Sequence, residues 1–171
     1  QRQAKKRRKI IIFAIEIIVI LIMVAVLLLV MGHTENEGPK RVELKEEELA
    51  IPEEIQQAKE EGESHMTGYM NIALFGVDAT KESQLYKNSR SDSIMIASIN
   101  LDTGDIKLCS VYRDTYLNIG TDSYQKCNSA YSFGGAEQAV KMLNMNLDMD
   151  ITNFVTVGYK GLSEVIDGLG G

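Results

Sequence analysis

The chain has only two histidines and two cysteines among its 171 residues. It also contains no Gly-x-Ser-x-Gly elbow, no phosphate loop ending in Gly-Lys-Ser/Thr and no His-Glu-x-x-His. These absences argue against the commoner serine hydrolases, nucleotide enzymes and zinc proteases. His33 and His65 lack partners at ligand spacing, so neither marks a metal site.

Charge is unevenly placed. The net charge of −6 conceals a basic beginning, residues 1–9, followed at once by a nearly unbroken apolar run over residues 10–31. About 20 apolar residues cross a bilayer as a helix, so this run is expected to be a transmembrane segment. The positive-inside rule keeps residues 1–9 in the cytoplasm as a basic stub and sends the remainder out. No small-x-small cleavage motif follows, which indicates an uncleaved signal anchor. Glu16 interrupts the span, where its carboxyl can protonate or lean toward the basic interface. Residues 32–66 are rich in glutamate and poor in aromatics, as in a solvated extracytoplasmic linker, with Leu44, Leu49 and Ile55 too sparse to mark a buried face. An acidic stalk does not attract nucleic acid, and the stub is too short for a DNA-recognition module.

Residues 67–171 carry the chemistry. The apolar runs 71–77, 93–101 and 106–112 read as strands, and Asp102-Thr103-Gly104-Asp105 supplies turn residues for a tight antiparallel hairpin between the second and third. A symmetric loop pairs Leu101 with Ile106 and Ile94 with Arg113, leaving Asp92 diagonal to Arg113 on one face. Asp78 joins them if its strand runs parallel to the third. Singly, such residues are ordinary turn formers or surface ion pairs. Together, Asp78 and Asp92 can hold a hard divalent cation and Arg90 and Arg113 can clamp phosphate oxygens.

Further on, residues 117–125 show no period and are expected to form a loop. Lys126 is a candidate phosphate contact. Residues 126–131 suit a short helical turn. Gly134-Gly135 then precede Ala136, Ala139, Val140 and Leu143 at helical spacing; the glycine pair either offers backbone N–H groups to an anion or permits close packing. Met142, Met145 and Met149 suit core filling better than a lipid cavity. Residues 151–157 form another strand, and Tyr159, Leu162, Val165, Ile166 and Leu169 the stripe of another helix. The expected fold is therefore α/β, a mixed-sheet α/β/α sandwich preceded by one transmembrane helix. Cys109 and Cys127 lie where a disulfide is chemically permitted but not required.

The runs Gly76-Val-Asp78, Ser89-Arg-Ser-Asp-Ser93, Tyr112-Arg-Asp-Thr115 and Lys126-Cys-Asn-Ser-Ala-Tyr131 through Gly135, in this order, resemble the LytR-CpsA-Psr family of cell-envelope proteins. The resemblance covers about residue 69 to the end and implies a membrane-anchored phosphotransferase in a Gram-positive bacterium. Such an enzyme moves a glycopolymer from an undecaprenyl-diphosphate carrier to peptidoglycan, with Mg2+ at the diphosphate. It places Asp78 and Asp92 at the metal and Arg90 and Arg113 at the diphosphate. The leading reading built on the cluster and this resemblance adds Lys126 as a further diphosphate contact and puts Asp92, Arg113 and Asp114 in catalysis, with Asp92 or Asp114 as proton acceptor. Tyr112 stands where many members have proline. The family's domain would continue past Gly171 through further arginines and a glutamine-rich helix, so this chain reads as its truncated N-terminal part. Alternatives are an envelope-linked transcriptional attenuator and a noncatalytic protein that binds carrier lipid or wall.

Overall fold

A computed structural model describes residues 22–26, 40–62, 64, 66–86, 88–120 and 122–171. Of the expected transmembrane segment, residues 22–26 are described and are helical; the rest of it, like the basic stub, lies outside the described residues. Among the described residues no helix is long and apolar enough to cross a membrane.

One compact unit runs from Glu43 to Gly171. In chain order it contains α1 (Glu53–Glu60), β1 (Tyr69–Val77), β2 (Ser91–Asn100), β3 (Ile106–Ser110), β4 (Tyr116–Asn118), β5 (Tyr124–Lys126), α2 (Asn128–Leu147), β6 (Asn153–Val157) and α3 (Tyr159–Gly168). The main sheet has the order β3-β2-β1-β6. β2 is antiparallel to both β1 and β3, whereas β6 is parallel to β1, so the sheet is mixed as expected. β1 and β3 consequently run the same way, and the end of β1 lies at the same sheet edge as the end of β3.

β1 sends Ala73, Phe75 and Val77 into the core and Ile72 and Leu74 to the other face. Apolar residues on both sides explain why its sequence is an unbroken apolar run rather than an alternating one. The helix stripe Ala136, Ala139, Val140 and Leu143 packs in the same core as Ala73, Phe75, Ile94 and Ile96. Burying a side chain such as Leu143 contributes about 1.5–3 kcal/mol. Phe75 meets Tyr131 edge to face at a centroid distance of 5.5 Å, and Met142 is fully buried core filler.

α2 is broken at the glycine pair, where Gly134 and Gly135 leave helical geometry and Gly135 adopts φ +69°. A Cβ at Gly135 would overlap the Tyr86 carbonyl oxygen. Close packing is therefore the reason for this glycine. The contact seats the loop between β1 and β2 on the first half of α2, where the Tyr131 hydroxyl donates to the Leu85 carbonyl and the Asn88 N–H to the Ser132 carbonyl.

Three expectations need correction. The stretch read as an acidic linker belongs to the folded unit from Glu43 onward: Leu49 is fully buried, Ile55 on α1 and Met66 nearly so, and Lys59 bonds Asp150 at 2.8 Å. Its few apolar residues suffice because each is inserted singly rather than forming a stripe. The expected loop 117–125 contains most of a two-stranded ribbon, β4 paired with β5. The β2–β3 hairpin is shifted by two residues, with Ile99 rather than Leu101 opposite Ile106. The Asn100 side chain accepts the N–H groups of Asp102 and Thr103, and the Gly104 N–H donates to the Asn100 carbonyl, so the turn closes over four residues instead of two. An even shift preserves the faces, and carrying the register on sets Arg113 opposite Asp92.

Candidate functional site at the sheet edge

Where β1 ends and β2 begins, the register slips: Gly76 faces Ser93 but Val77 faces Ser91, leaving Asp92 as the extra residue of a β-bulge. In an unbroken strand Asp92 would share the buried face of Ile94 and Ile96. The bulge instead turns Ser91 inward, fully buried, and leaves Asp92 exposed. Re-aiming a side chain is a recurrent use of bulges beside active sites.

The exposed Asp92 lines a cavity of about 410 Å³ together with Asp78, Arg90, Arg113, Asp114 and Lys126. All six residues singled out from sequence thus converge. Asn88, Ser89 and Asn128 complete the lining. Ser89 and Asn128 were visible in the motifs but had no role assigned; the Ser89 hydroxyl donates to the Asp78 carbonyl, and the Asp78 N–H to the Arg90 carbonyl, fixing the β1 end against the loop. Asn88 takes φ +66°, a conformation asparagine tolerates better than most residues.

A chain of ion pairs crosses the cavity. Arg113 Nη1 lies 2.6 Å from Asp92 Oδ1, Arg113 Nε 3.9 Å from Asp114, and Lys126 Nζ 2.7 Å from the other Asp114 oxygen. Exposed pairs of this kind contribute at most about 1 kcal/mol each to folding, so their arrangement serves geometry rather than stability. Asp78 and Arg90 have no ion-pair partner among the described residues. Both side chains are exposed.

The turn carrying Arg113 and Asp114 is held from beneath by Cys127. Its N–H donates to the Thr115 carbonyl, and its thiol to the carbonyls of Tyr112 and Arg113 at 3.2 and 3.4 Å. Burial pushes the thiol's pKa up, keeping the proton that makes these bonds. Both cysteines are free, so Cys127 acts as a buried donor.

The hydrogen bond from Lys126 holds the Asp114 carboxyl below its ordinary value of 3.8, with lesser help from Arg113. A depressed value means that the attraction is present above the ordinary carboxylate pKa and is lost as pH falls through the folded one. Lys126→Ala should raise the Asp114 value toward ordinary, as read by NMR titration of the side-chain carboxyl; an unchanged titration would show that the pair is not formed in solution.

Among the described residues no group of three or more His, Cys, Asp or Glu side chains gathers to hold a metal. Mg2+ does not require one, since it commonly takes one or two carboxylates and completes its shell with water and substrate phosphate. Asp78 and the second oxygen of Asp92 fit that pattern.

Comparison with known proteins agrees with the geometry. The family model described as the LytR_cpsA_psr family matches residues 37–171. The polyisoprenyl-teichoic acid–peptidoglycan teichoic acid transferase TagU of Bacillus cereus is 33% identical over 103 residues, 60% of this chain and 33% of the relative. The TagU of Enterococcus faecalis is 32% identical over 102 residues, 59% of this chain and again 33% of the relative. This chain thus spans about a third of the length of those relatives. Among solved structures, B. subtilis TagV superposes with a TM-score of 0.54 at 29% identity, covering 60% of this chain and 41% of that one. The LytR-CPS2A-psr family protein YwtF (TagT), with bound octaprenyl pyrophosphate lipid, gives 0.54 at 26% identity over 61% of this chain and 40% of that one. With the matched motifs gathered in one cleft and the family model spanning residues 37–171, this chain belongs to the LytR-CpsA-Psr family.

Proposed function

We propose that this chain carries the diphosphate-handling part of a membrane-anchored phosphotransferase, one that moves a glycopolymer from a polyprenyl-diphosphate carrier to peptidoglycan in cell-wall assembly. The observation that carries this reading is the convergence of Arg90, Arg113 and Lys126 with Asp78 and Asp92 in one cleft. A TagU relative named for teichoic acid transfer to peptidoglycan and a TagT structure with polyprenyl pyrophosphate support the substrate class. In this reading the protein is anchored by residues 10–31 with the folded unit outside, and the fold completes as a three-layer α/β/α sandwich. Its half-exposed second apolar face, including Val155 and Leu108, suits a further helical layer.

In the reaction, an acceptor hydroxyl attacks the glycan-side phosphorus, the bond from that phosphorus to the bridging oxygen breaks, and polyprenyl phosphate leaves. Arg90 and Arg113 stabilise charge on the phosphoryl oxygens. Asp114 positions Arg113 and Lys126 through its two carboxylate oxygens. Asp92, across from Arg113, accepts the acceptor's proton. The three cations of the cleft are matched by three carboxylates, so an incoming diphosphate brings excess negative charge. Mg2+ held by Asp78 and Asp92 would supply the neutralising charge. Transfer from a lipid-diphosphate glycan and magnesium-dependent binding of octaprenyl diphosphate test this reading. Asp92→Asn and Asp78→Asn should weaken the magnesium dependence of binding, and Asp92→Asn should also lower transfer by about 10²-fold or more. Wild-type behaviour in both folded variants would reject it.

A further inference from the structure

The β4–β5 ribbon grows directly out of the cleft. β4 follows the Arg113-Asp114 turn, and β5 returns the chain to Lys126 and Asn128. Its register pairs Tyr116 with Lys126, Leu117 with Gln125 and Asn118 with Tyr124. Directly opposed residues share a face, so Tyr116, Lys126, Asn118 and Tyr124 lie on one side and Leu117 and Gln125 on the other. Leu117 packs against the core. The tyrosine side therefore faces out, with Tyr116 69% and Tyr124 57% exposed.

The two rings are 6.1 Å apart by centroid and tilted by 31°, forming a shallow aromatic shelf rather than a stacked pair. α2 holds the shelf's base. The Asn118 N–H donates to the Asn146 side chain, Asn146 Nδ2 donates to the Asn118 carbonyl at 2.8 Å, and Gln138 donates to the Ile119 carbonyl. Lys126 joins shelf to cleft, since it stands across from Tyr116 and its ammonium reaches Asp114 at 2.7 Å.

We propose that Tyr116 and Tyr124 form a sugar-binding subsite that receives the carrier-proximal pyranose of the lipid-linked glycan. This deepens the phosphotransferase reading and rests on it. A sugar esterified to a phosphate held by Arg113 and Lys126 emerges beside Tyr116, because paired strand residues lie only about 5 Å apart. The C–H face of a pyranose is apolar and its rim is hydroxylated, matching a ring face with a polar tip such as tyrosine presents. A bilayer suits this face poorly: its other two members are Asn118 and Lys126, and it has no aliphatic side chain. Insertion into lipid would bury the Asn118 amide and the Lys126–Asp114 ion pair, and taking charges out of water is costly even when they are paired.

The test measures binding of the full chain to octaprenyl diphosphate and to the same lipid carrying one N-acetylhexosamine. Wild type should bind the glycosylated lipid about tenfold more tightly. The double variant Tyr116→Ala/Tyr124→Ala should lose that gain while binding the bare diphosphate as before, and the double Phe variant should retain most of it. If wild type binds neither lipid, the diphosphate reading itself fails and the subsite falls with it. Equal binding of both lipids, unaltered by the Ala variant, overturns the subsite alone. An Ala variant that weakens both lipids equally and also loses affinity for protein-free vesicles of anionic lipid assigns the face to the membrane and overturns the sugar assignment.

Discussion

Arg113→Ala is expected to lower transfer from a lipid-diphosphate glycan by roughly 10²–10³-fold, the range found when one preorganised donor to a developing oxyanion is removed. Arg113 is where the site's elements meet. Its backbone carbonyl receives Asn128 N–H and the Cys127 thiol, its Nη1 sits 2.6 Å from Asp92, and its Nε faces Asp114. Arg113→Lys should recover little, because an ammonium group cannot reproduce a planar fork that spans two oxygens. Since Arg113 and Asp92 touch, Arg113→Ala combined with Asp92→Asn should cost far less than the product of the single losses. Single-turnover rates of the four proteins decide the matter. Full activity in folded Arg113→Ala would remove this residue from the mechanism.

Asn144→Ala should destabilise the folded unit by about 3 kcal/mol or more, read as a lower urea midpoint. The side chain is fully buried. Its Nδ2 donates to the carbonyls of Leu49 and Ile151, and its Oδ1 accepts the Ile151 N–H at 2.8 Å. Truncation leaves these buried groups unpaired, and each unsatisfied group costs about 1–3 kcal/mol. Hydrogen exchange should show residues around Leu49 losing protection first, since Asn144 fastens them to α2. A loss below about 1 kcal/mol would mean that water replaces the amide.

The contrast between Asp92 and Asn144 shows what sequence can convey. Asp92, Arg113 and Asp78 were legible because Asp92 opens β2 while Asp78 and Arg113 follow the ends of β1 and β3, and because β1 and β3 point the same way. The hairpin misreading did no harm, since a two-residue slip returns every side chain to its own face. The bulge that exposes Asp92 was not legible: it depends on how β2 meets β1, and nothing in Ser91-Asp92-Ser93 alone distinguishes a slipped rung from a regular one. Leu49 and Ile55 were misread for a similar reason. Leu49 is buried in a core with residues about ninety positions later, and Asn144 and Asp150 fasten this stretch through the Leu49 carbonyl and Lys59; a glutamate-rich stretch gives no local sign of such partners. The β4–β5 ribbon was missed because three-residue strands are too short to display a period.

The Lys59–Asp150–Asn71 linkage has a mechanical consequence. Asn71 Nδ2 bonds Asp150 Oδ1 at 2.7 Å near the beginning of β1, while the cleft lies past its far end, roughly 23 Å away at strand rise. In the anchored reading proposed above, a pull arriving through the segment before α1 meets Leu49, whose carbonyl is fastened to α2, and then this linkage, before it reaches β1. On that reading the load is taken up at the opposite end of β1 from Asp92 and Arg113.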